Sequence, residues 1–79
     1  MLKFAAIKQP ESLAKMAYEA IRKSILSGQW KIGELYNEKA IAADLGISRT
    51  PVREALLELA SQDLIIFLPR RGLMVNRFT

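Results

Sequence analysis

The sequence predicts a mainly α domain closed by a small β-hairpin: three helices, then two short strands. Three observations carry that expectation. Apolar residues recur at steps of three and four over Leu13–Ile25 and again over Val52–Leu59, the pattern of helices with one buried side. Gly46-Ile47-Ser48 separates two of the helical stretches, a turn glycine followed by a residue suited to capping the next helix. Beyond residue 64 the composition shifts to Ile65-Ile66-Phe67-Leu68 and Leu73-Met74-Val75 on either side of Pro69-Arg70-Arg71-Gly72. β-Branched and aromatic residues around such a turn suit two strands and a hairpin.

Seventy-nine residues allow one small domain, whose core is marginal in size. Apolar residues make up 51% of the chain, which argues against disorder. No apolar run approaches the roughly 20 residues of a membrane helix, and Met1 to Ile7 is too short for a signal peptide. A cytoplasmic setting is expected. The chain has no cysteine and no histidine, which removes disulfides, thiolate metal sites and the usual nucleophile–base pairs. No cofactor is expected. The formal charge of +4 is mild; its placement matters more than its size.

Residues 1–10 are expected to form a flexible tail carrying Lys3 and Lys8, with Pro10 barring any helix from continuing through it. Residues 11–79 form the expected domain. Glu11–Ser27 reads as the first helix, with Leu13, Met16, Ala17, Ala20, Ile21 and Ile25 as its apolar stripe and Gly28 ending it. Trp30 to Tyr36 is a connector with a turn at Gly33 and a very short strand at Leu35-Tyr36. Its two aromatics could stack on bases but more naturally fill the gap between helices.

The second helix is read over Asn37–Leu45, capped by Asn37, with Ala40, Ile41 and Leu45 inward and Lys39 outward in its first turn. Lys39 fits a phosphate contact and, equally, a solvated surface position. The third helix is read over Arg49–Gln62, with Ser48 as cap and Pro51 in the first turn, where its missing N–H breaks no internal bond. Val52, Ala55, Leu56 and Leu59 make its buried stripe. Arg49 and Arg53, four apart, share another face. Asp63 follows, a residue that tolerates a left-handed turn better than most.

A short helix, a glycine turn and a capped helix with basic residues at its start is the layout of a helix-turn-helix. The second helix of such a pair enters the DNA major groove. The basic-tipped hairpin that follows is then a wing, with Arg70 and Arg71 suited to the backbone or a narrow minor groove. Arg49 and Arg53, at the start of the third helix, are the candidates for bonding guanine edges in the major groove. Ser48 and Thr50, with the free N–H groups of the helix start, can hold a phosphate.

Catalytic chemistry finds little support. Glu54 and Glu58 are the one carboxylate pair at helical spacing, and they lie on an exposed face. No enzyme is expected. Leu57 sits near the arginine face, poorly placed for the core, and is a candidate contact for a partner or a further domain. It motivates an alternative in which the domain is a protein–protein interaction module.

The stretch Leu45-Gly46-Ile47-Ser48-Arg49-Thr50-Pro51-Val52-Arg53-Glu54-Ala55-Leu56, with Ile25-Leu26-Ser27-Gly28, Gly33, Asn37-Glu38 and Leu68-Pro69-Arg70-Arg71-Gly72 plus Val75, resembles the N-terminal winged helix-turn-helix domain of GntR-family bacterial transcription regulators. The match is closest to the FadR-like branch and covers about residues 12 to 75. The resemblance implies a three-helix winged domain that binds double-stranded DNA. It implies DNA contacts at Lys39, Ser48, Arg49, Thr50, Arg53, Arg70, Arg71 and Gly72. It further implies a homodimer on a short inverted repeat, a repressor role and release by a metabolite. Three departures stand out: Ile32 where the family favours proline, Asp63 in place of the usual glycine, and an end four residues after Val75. The last suggests either a DNA-binding fragment without the effector domain, the favoured reading, or a very small autonomous regulator. One small domain offers little surface beyond its core, so a monomer off DNA is expected.

Overall fold

The computed structural model describes residues 12–77. The expected tail at residues 1–10 and the expected helical residue Glu11 lie outside them. The order is α1 (Leu13–Leu26), α2 (Glu38–Leu45), α3 (Arg49–Ser61), β1 (Ile65–Leu68) and β2 (Gly72–Val75). The expected class, three helices and a two-stranded hairpin, is the observed one.

Each helix begins where a capping residue stands. Ser12 caps α1, its hydroxyl accepting from Lys15 N–H at 3.1 Å. Asn37 caps α2, its Oδ1 accepting from Ala40 N–H at 2.7 Å. Such a cap satisfies one of the four N–H groups that a helix start leaves without a partner. Ser48 holds the cap position of α3 by its extended backbone, yet its side chain makes no capping bond. A capping oxygen accepts from the second or third N–H of the helix; Pro51 at the third position has none, which leaves Thr50 N–H as the one donor in reach.

The helix ends are equally local. Gly46 takes φ +71° after α2, with Gly46 N–H bonded to the Ala43 carbonyl and Ile47 N–H to the Ala42 carbonyl. α3 ends with the same pair of bonds, Asp63 N–H to Ala60 and Leu64 N–H to Leu59, and here the left-handed residue is Asp63 at φ +62°. Both are Schellman-type ends; the second places an aspartate where glycine is the unstrained choice.

The three helices and the hairpin close on one core: Ala17, Ile21 and Ile25 of α1, Ile41 and Ala42 of α2, Val52, Ala55, Leu56 and Leu59 of α3, and Ile65, Leu73 and Val75 of the strands. The α3 stripe matches the expected one throughout. The α1 stripe is narrower than expected: Ala17, Ile21 and Ile25 are buried, but Leu13 and Met16 are each 51% exposed and Ala20 is exposed, whereas Tyr18 is half-buried against the core. The Tyr18 hydroxyl donates to Gln62 Oε1 at 2.7 Å and ties α1 to the end of α3. In α2 the inward pair is Ile41 and Ala42. Ala40 is exposed and Leu45 lies at the margin.

β1 and β2 pair antiparallel, Ile65 opposite Val75 and Leu68 opposite Gly72. Gly72, expected in the turn, is therefore the first residue of β2. The connector joins this sheet by single bridges, Ile32 to Val75 and Tyr36 to Leu73. Tyr36 and Leu73 exchange both backbone bonds at 2.8 Å. The expected strand at Leu35-Tyr36 is thus one bridge residue, Tyr36. Trp30 and Tyr36 stack on each other, ring centroids 4.5 Å apart, and pack partly buried against the core.

Candidate nucleic-acid interface

The start of α3 is the centre of the site. The α2–turn–α3 unit holds it out of the core, since Ser48, Arg49, Thr50 and Arg53 are all exposed while Val52, one position away, is fully buried. That division follows from helix periodicity: Val52, Ala55, Leu56 and Leu59 anchor one face, and Arg49 and Arg53 emerge together elsewhere. The first backbone N–H groups of α3 lack a side-chain cap, so they and the Ser48 hydroxyl face solvent with hydrogen-bonding capacity to spare.

The arginine pair is not free-standing. Glu38, the first residue of α2, reaches across the turn to both side chains. Its Oε2 accepts from Arg53 Nη1 at 3.0 Å, and its Oε1 accepts from Arg53 Nη1 and Arg49 Nη2 at 3.4 Å each. Both arginine side chains stay more than 60% exposed, and the Glu38 side chain is 13% exposed. Two positive charges and one negative charge thus share a small surface. Reading the sequence for basic groups overlooked Glu38. Its detectable signal was an acid in the first turn of the helix that precedes the arginines.

Lys39 follows Glu38 on the exposed side of α2 and makes no hydrogen bond or ion pair with the described residues. Arg70 and Arg71 stand apart from these groups, exposed at the hairpin tip. The turn there is closed by Arg71 N–H bonded to the Leu68 carbonyl at 3.1 Å, with Arg70 at φ +63°. Gly72 has a packing role in addition to its place beside the tip. At its φ of +125° a Cβ would collide with the Tyr36 carbonyl oxygen, so the wing can lie against the connector only because this residue has no side chain.

Chemically, the surface offers guanidinium donors, a hydroxyl and a helix N-terminus, all suited to anions and to base edges. Among the described residues no group of three or more His, Cys, Asp or Glu could hold a metal ion, and no helix is long and apolar enough to cross a membrane. Glu54 and Glu58 are exposed on α3.

Three helices, a tight turn before an exposed basic helix start, and a basic-tipped hairpin define the winged helix-turn-helix class. Within it, this chain belongs to the GntR family of bacterial regulatory proteins, whose family model matches residues 13–75. It is 48% identical over 65 residues to the gluconate operon transcriptional repressor of Bacillus subtilis, covering 82% of this chain and 26% of that protein. It is 36% identical over 62 residues to the transcriptional repressor RspR of Escherichia coli, covering 78% and 27%. Among solved structures, a putative GntR regulator from Rhodococcus superposes with TM-score 0.79 at 30% identity, over 87% of this chain and 33% of that one. A GntR-family member from Pseudomonas syringae gives 0.75 at 30% identity, over 90% and 31%. The chain spans about a quarter to a third of the length of the curated relatives it matches.

Proposed function

We propose that the chain binds double-stranded DNA sequence-specifically as the DNA-binding domain of a bacterial transcription repressor. The observation that carries this reading is the exposed start of α3, with two arginines side by side and a helix N-terminus that no side chain caps. In this reading α3 enters the major groove. Arg49 and Arg53 bond guanine edges, each bidentate contact being worth roughly 1–3 kcal/mol of discrimination. Ser48, Thr50 and Lys39 hold phosphates on either side. Arg70 and Arg71, carried on Gly72 at the wing, lie along the adjacent backbone or minor groove. Two copies meet on a short inverted repeat, as homodimers in the longer regulator, and the setting is the cytoplasm. The chemistry offered is recognition, not catalysis.

The test is selection of binding sites from a random double-stranded DNA pool at near-physiological salt, with the single chain and with a covalently tethered pair. A short inverted repeat with guanines in each half is the expected product, and Arg53→Ala should weaken binding and relax preference at one base position. Failure of both forms to enrich any sequence would overturn the reading in favour of a protein-binding winged helix, for which exposed Leu57 on the arginine helix is the suggestive feature. Salt separates the two as well, because phosphate contacts weaken steeply as salt rises.

A further inference from the structure

We propose that Glu38 is a positioning residue for base recognition: it clamps Arg49 and Arg53 into one ordered pair and raises discrimination between specific and non-specific DNA. This rests on the DNA-binding reading above. Three features carry it. The carboxylate comes from a different helix, 11 and 15 residues from its partners in sequence, so the contact fixes the arginines relative to α2 as well as to each other. The bonds engage one terminal nitrogen of each guanidinium, Nη2 of Arg49 and Nη1 of Arg53. A guanidinium carries five N–H donors, so Arg53, held through Nη1, keeps its Nε and Nη2 edge for the two parallel bonds that a guanine accepts, and Arg49 keeps unengaged N–H groups for a further contact. Finally, the Glu38 side chain is only partly exposed whereas the arginines are well exposed, as expected of an anchor beneath a working surface.

The consequences are two. Without Glu38 the guanidiniums, four residues apart on one helix, repel each other and disperse among rotamers, and ordering them becomes a cost of binding. The carboxylate also adds one negative charge to a face that would otherwise attract any phosphate backbone more strongly. It therefore weakens sequence-independent binding while favouring the geometry that reads bases. A simpler role exists for an acid at this position, since a carboxylate in the first turn of α2 favours the helix dipole. That role needs no arginine, and it survives shortening by one methylene. Glu38→Asp keeps the charge at the helix start but shortens the reach to both arginines. Glu38→Gln keeps the length and removes the charge.

The experiment uses the full chain as wild type, E38Q, E38D, R49A/R53A and E38Q/R49A/R53A. Dissociation constants are measured across a salt series for the duplex that the wild type selects and for a scrambled duplex of equal length. E38Q should bind the scrambled duplex more tightly, with a salt slope steeper by about 0.9. E38Q and E38D should both lose roughly five- to tenfold in the ratio of specific to non-specific affinity, part of the value of one well-made base contact. In the R49A/R53A background E38Q should leave that ratio unchanged. Side-chain NMR supplies a readout without DNA: guanidinium rotation of Arg49 and Arg53 should be slowed in the wild type and released in both Glu38 variants. A wild type that selects a site while E38Q and E38D keep its affinity ratio overturns the assignment of Glu38 alone. A wild type that selects no site overturns the DNA-binding reading and, with it, this use of the clamp.

Discussion

Replacing Arg70 by glycine should make the domain more stable and its DNA binding weaker, two effects with separate physical origins. The wing turn runs Leu68-Pro69-Arg70-Arg71, closed by the Arg71 N–H to Leu68 carbonyl bond, and Arg70 sits at φ +63°. Proline in the second position and a left-handed third position is a turn that asks for glycine or asparagine at the third. A side chain held in the left-handed region costs about 1–2 kcal/mol. Glycine brings back roughly 0.5–1 kcal/mol of that as extra freedom of the unfolded chain. The net gain expected for Arg70→Gly is therefore ~0.5–1 kcal/mol, or about 2–8 °C in Tm for a domain of this size. If Arg70 neutralises one phosphate, the same change lowers the slope of log affinity against log salt by about 0.9. Thermal unfolding by circular dichroism and a salt series of DNA titrations read the two effects. Arg70→Lys, which keeps both the strain and the charge, is the control and should shift neither. Arg70→Gly melting at or below the wild-type temperature would refute the strain argument. An unchanged salt slope would remove Arg70 from the DNA-facing surface, and with it the reason to hold an arginine in a strained turn.

The same backbone logic predicts that Asp63→Gly, at φ +62° after α3, raises Tm by a few degrees for ~0.5–1 kcal/mol and leaves DNA affinity unchanged; a lower Tm would contradict it. Gly72→Ala drives a methyl into the Tyr36 carbonyl and should cost at least about 1–3 kcal/mol, seen as a lower midpoint in urea; a wild-type midpoint would refute the wing–connector packing. Leu56→Ala removes a fully buried side chain at about 2–5 kcal/mol, a large share of what so small a core supplies, and should abolish or strongly depress the cooperative melt.

Local chemistry was legible in the sequence and long-range pairing was not. The Gly46 turn, the Asn37 cap and the left-handed Asp63 follow from single residues with strong backbone preferences, and all stand where expected. The α3 stripe was equally plain, because Val52, Ala55, Leu56 and Leu59 leave one consistent face. The α1 stripe was read correctly at Ala17, Ile21 and Ile25 but too wide, because Leu13 and Met16 lie beside the buried face and look apolar enough to belong to it. The partner of the Tyr18 hydroxyl, Gln62, is 44 residues away. The eight residues of α2 make little more than two turns, too few for its alanines to declare a phase. The bridges of Ile32 to Val75 and Tyr36 to Leu73 have no local signature at all.

Glu38 exposes a more general gap. Searching a basic surface for its cations treats each arginine as an independent contact and discounts nearby acids as solubilising charge. Here the acid is the less exposed member of the cluster, and the cations are arranged around it. An arginine free to wander binds any phosphate it meets, whereas one held by a carboxylate is committed to one direction before DNA arrives. The helix turn makes this possible by bringing the first residue of α2 beside the first turn of α3. The Gly46 turn therefore does more than set an angle between two helices: it brings Glu38 within reach of both arginines. A change at Gly46 that reoriented the helices should then disturb arginine order and helix packing together, while Glu38→Asp, which keeps the charge at the start of α2, should disturb arginine order without disturbing the packing.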